Sequence, residues 1–540
     1  MGINITFGQT KVVPSEEQQA AIDWLNKLDR AKALIVEASA GSGKTFMLIE
    51  MVKQVVRTAA SGGRKPTKLI CLLAYNRKVR KEIQSRVSLA GLDDWVDVHT
   101  FHSLGKACLE TSISITYKNI KPGKARNWFK ARFKGNKAVD YDQITALVSA
   151  LDLAKDMGFD LPLSDYANEY QSWSRFFHEF NVLVDEKKLS REEAISACME
   201  AFKQTLGDLT SFDYADLTYL IAQDAYRFCK WRYKFIFVDE GQDLNFTRAV
   251  CVKSISDDST IVVVGDETQA IYGYTGAIPN ALDYATDLYR AERLSLTYCR
   301  RCPRTVIAEA VKYMPNIKAM PNASEGSVMT INEGQFRVLF ARPLPLEFDT
   351  LPKFKPGDAI LCRINAPLTM IAFNLIKAGI RCKVEGKDLG AGLISYAKSA
   401  MFLPDPVDFG EKLTLKFNQD RAKLESKNNE RGVEELWDKV SCIRVLHTMC
   451  CERGPFSLGA LETLVEDLFA DSIAGQETNR VVLSSVHRAK GLEWDRVFIY
   501  GRNIYMPSKY AKTDWEKTQE NNLIGVAITR AKQQLIYVNL

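Results

Sequence analysis

Ten residues, Val36-Glu37-Ala38-Ser39-Ala40-Gly41-Ser42-Gly43-Lys44-Thr45, carry the plainest chemistry in the chain. The apolar run Ala33, Leu34, Ile35 and Val36 predicts a strand feeding into them, and Ile49, Val52 and Val56 share one face of a following helix. A small-residue loop between strand and helix turns successive N–H groups inward at a helix N-terminus, which suits the phosphates of a nucleotide. Lys44 would reach the β- and γ-phosphates and the Thr45 hydroxyl would hold Mg²⁺. Ala38 stands where such loops usually open with glycine, and a small residue still permits the turn.

A second set of residues fits phosphoryl transfer. Phe235-Ile236-Phe237-Val238 reads as a strand buried on both faces, and it ends in Asp239-Glu240-Gly241-Gln242-Asp243. Of two adjacent carboxylates after such a strand, one (Asp239) can hold Mg²⁺ and the other (Glu240) can orient and deprotonate the attacking water. The apolar run Ile261 to Val264 leads to Gly265-Asp266-Glu267-Thr268-Gln269, where Gln269 is placed to sense the γ-phosphate. Ahead of the loop, Ser15 and Gln18 have capping-box spacing. The Gln18 amide also suits the two hydrogen-bonding edges of adenine.

These residues need a parallel sheet to position them. Further strands over 69–73 and 96–98 end near Tyr75 and near Phe101-His102. Ligands of open parallel sheets bind beyond the carboxyl ends of the strands, so these aromatics, with Tyr272 and Tyr274, suit a second ligand that stacks. For each aromatic taken singly the alternative is core packing. Residues 106–205 read as mostly helical and include a basic, aromatic stretch with Lys124, Arg126, Lys130 and Arg132. That stretch is either a solvated face whose aromatics reach the core or a phosphate-contacting surface.

With 540 residues, 46% hydrophobic and 26% charged, the chain has the composition of a large globular enzyme of several domains. A net charge of +6 is compatible with a polyanionic partner. No apolar run approaches the ~18 residues needed to span a bilayer. Twelve cysteines include one CxxC, Cys299 and Cys302, with no second pair to complete a metal site. The expectation is a reduced cytoplasmic protein, associated with the nucleoid if its partner is DNA.

Together these motifs resemble the superfamily 1A DNA helicases of the UvrD/Rep type, with a RecB-like touch in ASAGSGKT. Leu296-Thr297-Tyr298-Cys299-Arg300-Arg301, Ser485 to Trp494 and Val526 to Ala531 extend the resemblance through the second half. The resemblance implies an α/β protein with two RecA-like parallel-sheet P-loop motor domains, each carrying an inserted, mainly helical subdomain. On that scheme the first motor domain is 1–105 with 206–283 and its insertion is 106–205. The second is 284–389 with 480–540, with a shortened insertion at 390–479.

The resemblance further implies ATP and Mg²⁺, with ATP in a cleft between the motor domains. Ala38 through Thr45 would bind ATP. Arg300 and Arg530 would contact the γ-phosphate, Glu493 would lie near the ribose, and His487 would join Tyr75, Phe101, His102, Tyr272 and Tyr274 on DNA. Cys299 stands where the family usually stacks an aromatic on adenine, and Tyr274-Thr275 where it usually has Trp-Arg. The implied activity is 3′→5′ unwinding, coupled to translocation on single-stranded and tailed duplex DNA in repair or replication. The alternative is a translocase, or an ATP-gated subunit of a nuclease or defence complex, that does not itself separate strands.

Overall fold

The computed structural model describes residues 13–26, 32–180, 182, 184–229, 233–256, 258–271, 276–341, 351–405, 408–426, 429–470 and 479–540. The chain forms two compact units, Met1–Thr297 and Tyr298–Leu540. In the first unit, β1 (Ala33–Ala38), β2 (Ile70–Ala74), β3 (Val96–Thr100), β4 (Phe235–Val238), β5 (Thr260–Gly265) and β6 (Glu292–Leu296) make one sheet. Its order is β3-β2-β4-β5-β1-β6 and every pairing is parallel. Because side chains alternate across a strand, Leu34, Val36, Leu72, Phe237 and Val262 enter one core. Ala33, Ile35, Leu73, Ile236 and Val263 enter another on the opposite face. Burial on both faces is why these strands read as continuous apolar runs.

Helix α1 (Glu16–Trp24) opens with the expected capping box: Ser15 Oγ accepts from Gln18 N, and Gln18 Oε1 accepts from Ser15 N. Then come α2 (Lys44–Ser61), α3 (Arg77–Leu89) and α4 (Phe101–Ser112). The inserted helices are α5 (Lys124–Arg132), α6 (Tyr141–Asp156), α7 (Tyr170–Glu179) and α8 (Arg191–Gly207), and the chain returns through α9 (Tyr214–Gln223). The helical bounds differ from the sequence expectation, since 105/106 and 205/206 fall inside α4 and α8. The break at 283/284 is also corrected. Strand β6 pairs with β1 from Leu34↔Glu292 to Ala38↔Leu296, so residues 284–297 belong to the first unit.

Buried charges fasten the insertion to α9. Lys155 Nζ bonds Asp213 at 2.8 Å and Asp216 at 2.6 Å, and Lys124 Nζ bonds Asp216 at 3.0 Å. Lys124 also donates to the carbonyls of Thr205, Asp208 and Ser211. This overturns the surface reading for Lys124: four oxygen acceptors compensate its burial, and it is closed to nucleic acid. Arg126 lies over the Tyr141 ring and Arg132 pairs with Glu200 at the surface.

The second unit has a parallel seven-stranded sheet. Its central strands Ala359–Cys362, Cys382–Glu385, Val481–Ser485, Trp494–Tyr500 and Ala531–Asn539 send Ile360, Val384, Leu483, Phe498 and Ile536 into one core. Helices Lys387–Met401, Phe409–Glu425, Glu430–Arg453 and Leu458–Leu468 form the segment between Glu385 and Val481. Asp438 caps helix Asn365–Lys377 by accepting from Asn365 N and Ala366 N. Among the described residues no helix is long and apolar enough to cross a membrane, and no His, Cys, Asp and Glu cluster could hold a metal. All twelve cysteines are free thiols and Cys451 alone is exposed.

Candidate nucleotide site and nucleic-acid rim

The phosphate loop joins β1 to α2. Ala38 and Ala40 are buried, Ser42 N donates to Ser39 O at 3.1 Å, and Ser39 N donates to Leu296 O at 2.8 Å, tying the loop to β6. Gly43 takes φ +86°, and a Cβ there would meet Gln18 Nε2 at 2.7 Å. That close approach explains Gln18, whose Nε2 donates to Ser42 O at 2.8 Å while its Oε1 serves the capping box. Gln18 braces the loop with both ends of its amide, and these two bonds leave one N–H and one Oε1 lone pair of the amide for adenine. Ser42 Oγ and Lys44 Nζ are buried without hydrogen-bond partners among the described residues. A buried hydroxyl and ammonium in a glycine-lined turn fit the phosphates of ATP.

Lys44 Nζ lies 4.0 Å from Glu240 Oε2. Glu240 follows β4 with φ +54°, a left-handed conformation that costs a non-glycine residue about 1–3 kcal/mol. Its carboxylate accepts from Gln242 Nε2 at 2.5 Å, and Gln242 Oε1 accepts from Asp266 N at 2.8 Å. Gly265 permits this crossing, because a Cβ there would meet Gln242 Oε1 at 2.8 Å. Asp266 in turn accepts from Gln269 Nε2 at 2.5 Å and from Thr268 Oγ1 at 2.5 Å. Lys44, Glu240, Gln242, Asp266 and Gln269 thus form one chain of contacts across the ends of β1, β4 and β5. Burial, reinforced by Glu240 and opposed by Lys44, pushes Asp239 up to about 7. A divalent cation would offset that cost, and Asp239 and the Thr45 hydroxyl are hard oxygen donors of the kind Mg²⁺ takes. Gln242 and Asp266 were missed as site residues, although Gln242 sits inside the motif at Glu240+2.

Tyr75 and His102 are half-buried at the carboxyl ends of β2 and β3. Phe101 corrects the stacking expectation: it is 4% exposed and packs in the core beneath α4. Burial, then Arg248 and Arg77, push His102 down to about 4, and its ring meets exposed Tyr214 at 5.9 Å. Tyr272 and Tyr274 lie outside the described residues.

In the second unit Arg530 is 1% exposed, donating to Val526 O, Leu492 O and Thr529 Oγ1. Arg300 is exposed, whereas Arg301 donates to Glu493 Oε2 at 2.5 Å and to Thr529 O at 3.2 Å, beside Arg530. The structure therefore joins Arg301, which the sequence reading passed over for its neighbour, to Glu493 and the Arg530 segment. Cys299 is fully buried. His487 is half-buried in helix Val486–Ala489, after strand Val481–Ser485.

Residues 15–290 match the UvrD/REP helicase N-terminal domain and residues 411–539 the UvrD-like helicase C-terminal domain. The chain is 23% identical over 624 residues to the ATP-dependent DNA helicase PcrA of Bacillus subtilis, covering 94% of this chain and 80% of that protein. It is 22% identical to a probable DNA helicase II homolog of Mycoplasma pneumoniae, covering 97% and 84%. It is also 24% identical to the Gabija protein GajB of Bacillus cereus, over 49% of this chain and 45% of that protein. A phosphate loop contacting a paired carboxylate on a parallel sheet, within a match to both helicase domains, leads to one conclusion: the chain belongs to the UvrD/REP family of superfamily 1 and is an ATP-hydrolysing DNA helicase.

Proposed function

We propose that the protein translocates on single-stranded DNA and unwinds tailed duplex with 3′→5′ polarity, working as a cytoplasmic, nucleoid-associated motor. The observation that supports this most is the unbroken chain of contacts from Lys44 through Glu240, Gln242 and Asp266 to Gln269 within the first unit. Lys44 and the loop from Ala38 to Thr45 hold the phosphates, and Glu240 orients and deprotonates water. Thr45 and Asp239 would hold Mg²⁺, which would supply neutralisation of the charge developing on the phosphoryl oxygens. Arg530 is assigned to that charge as well, and Arg301 takes the role beside it rather than Arg300, because Arg301 is the one joined to Glu493 and Thr529. Glu493 serves the ribose, and Tyr75, His102, Tyr272, Tyr274 and His487 serve the strand. Polarity follows the family resemblance.

The test is strand displacement on duplexes with a 3′ or a 5′ tail. Unwinding confined to the 3′-tailed substrate is expected; unwinding confined to the 5′-tailed one overturns the polarity. A second reading is an ATP-gated subunit of a defence or nuclease complex that does not itself separate strands. ATP turnover that saturating single-stranded DNA fails to stimulate would favour it.

A further inference from the structure

On the rim of the first unit stands a side chain that none of these roles uses, Arg248 on helix Phe246–Ser254. Its Cζ lies 5.2 Å from the Tyr75 ring centroid and 5.7 Å from that of Phe101. Its Nη1 donates to the Asp243 carbonyl in a long bond of 3.4 Å. Asp156 of α6 is an acid near Arg248, and Arg77 and Asp213 lie with Arg248 in the surroundings of His102.

We propose that Arg248 binds a backbone phosphate of single-stranded nucleic acid on this rim and relays strand occupancy to the Asp239–Asp243 segment through the Asp243 carbonyl. The proposal rests on the DNA-motor reading. A guanidinium presents five N–H donors in a planar fork suited to phosphate. Here one weak bond to a neutral carbonyl is its hydrogen bonding among the described residues. The aromatic faces of Tyr75 and Phe101 hold the guanidinium plane, so less side-chain freedom is lost when an anion arrives. Arg77 is exposed at the first turn of α3, and His102 stays neutral, so the rim carries the positive charge of Arg248 and Arg77, opposed by Asp156 and Asp213.

The relay is short. Asp243 N donates to Glu240 O at 3.0 Å, closing the turn that holds the general base in its left-handed conformation. A phosphate that draws Arg248 outward weakens its hold on the Asp243 carbonyl and changes the constraint on that turn.

The experiment measures binding of a fluorescein-labelled oligothymidylate by the full chain across a salt series, with Arg248→Ala, Arg248→Gln and Arg248→Lys. Losing one phosphate contact should lower the slope of log K against log salt by about 1 in the Ala and Gln variants, and Lys should restore it. At saturating strand, Arg248→Gln should also show reduced stimulation of ATP turnover. If Arg248→Ala does not fold, the Gln and Lys pair decides. Equal slopes for Gln, Lys and wild type overturn the phosphate contact, and full stimulation in Arg248→Gln overturns the relay. A wild-type chain that does not bind the oligonucleotide defeats the motor reading itself, an outcome distinct from either.

Discussion

Gln242 Nε2 donates to Glu240 Oε2 at 2.5 Å while the other end of the same amide receives the Asp266 backbone N–H at 2.8 Å. A carboxylate that must orient water gains from this bond twice, in direction and in a fixed rotamer. Gln242→Ala removes the restraint without touching the phosphate loop. ATP turnover with single-stranded DNA should fall roughly 10- to 100-fold, with the KM for ATP little changed, since catalysis and not uniform binding is affected. Glu240→Gln should abolish turnover and still bind ATP. Steady-state ATPase and nucleotide-binding titrations check both.

Adjacent Arg300 and Arg301 part company in the structure, and their variants should as well. Arg301→Ala removes the partner of Glu493 and a charge assigned to the transferring phosphoryl group. Turnover should fall on the order of a thousandfold, the scale of arginine contributions in phosphoryl transfer. Arg300→Ala, an exposed position, should cost roughly tenfold or less. A larger loss in Arg300→Ala would return the role to that residue.

Particular residues show what the sequence can and cannot disclose. The placement of Lys44, Glu240 and Gln269 after buried strands was legible, because strand and loop are both local signals. Phe101 was misjudged because one apolar residue at a strand end has the same local context whether it faces a ligand or the core. Lys124 was misjudged for a related reason. Its acceptors Thr205, Asp208, Ser211 and Asp216 lie more than eighty residues away. Strand β6 went to the wrong domain because a parallel pairing with β1 across some 250 residues leaves no local trace.

Lys124 and its neighbour Lys130 should answer substitution differently. Lys124→Met removes one of the two lysines paired with Asp216 and the donor to three interior carbonyls, and breaking a buried pair costs about 3–5 kcal/mol. Its denaturation midpoint should drop sharply. Lys130→Glu, at an exposed position on the same helix, should leave stability within about 0.5 kcal/mol. Urea unfolding followed by far-ultraviolet circular dichroism separates the two.

His102 makes stability depend on pH in a set direction. Its folded-state value is lowered to about 4 by burial, then by Arg248 and Arg77, against 6.5 for the free side chain. Between those values the unfolded chain binds the proton and the folded chain does not. Stability is therefore full above about pH 6.5 and is lost as pH falls towards 4. From pH 7 to pH 5 this one group should remove about 2 kcal/mol of unfolding free energy. His102→Asn deletes the titration, so the stability difference between pH 7 and pH 5 should shrink by about that amount relative to wild type. Paired urea titrations at the two pH values measure it. Equal pH dependence in the variant and wild type would show that His102 titrates normally in the folded protein and that the positive field assigned to this rim is not there.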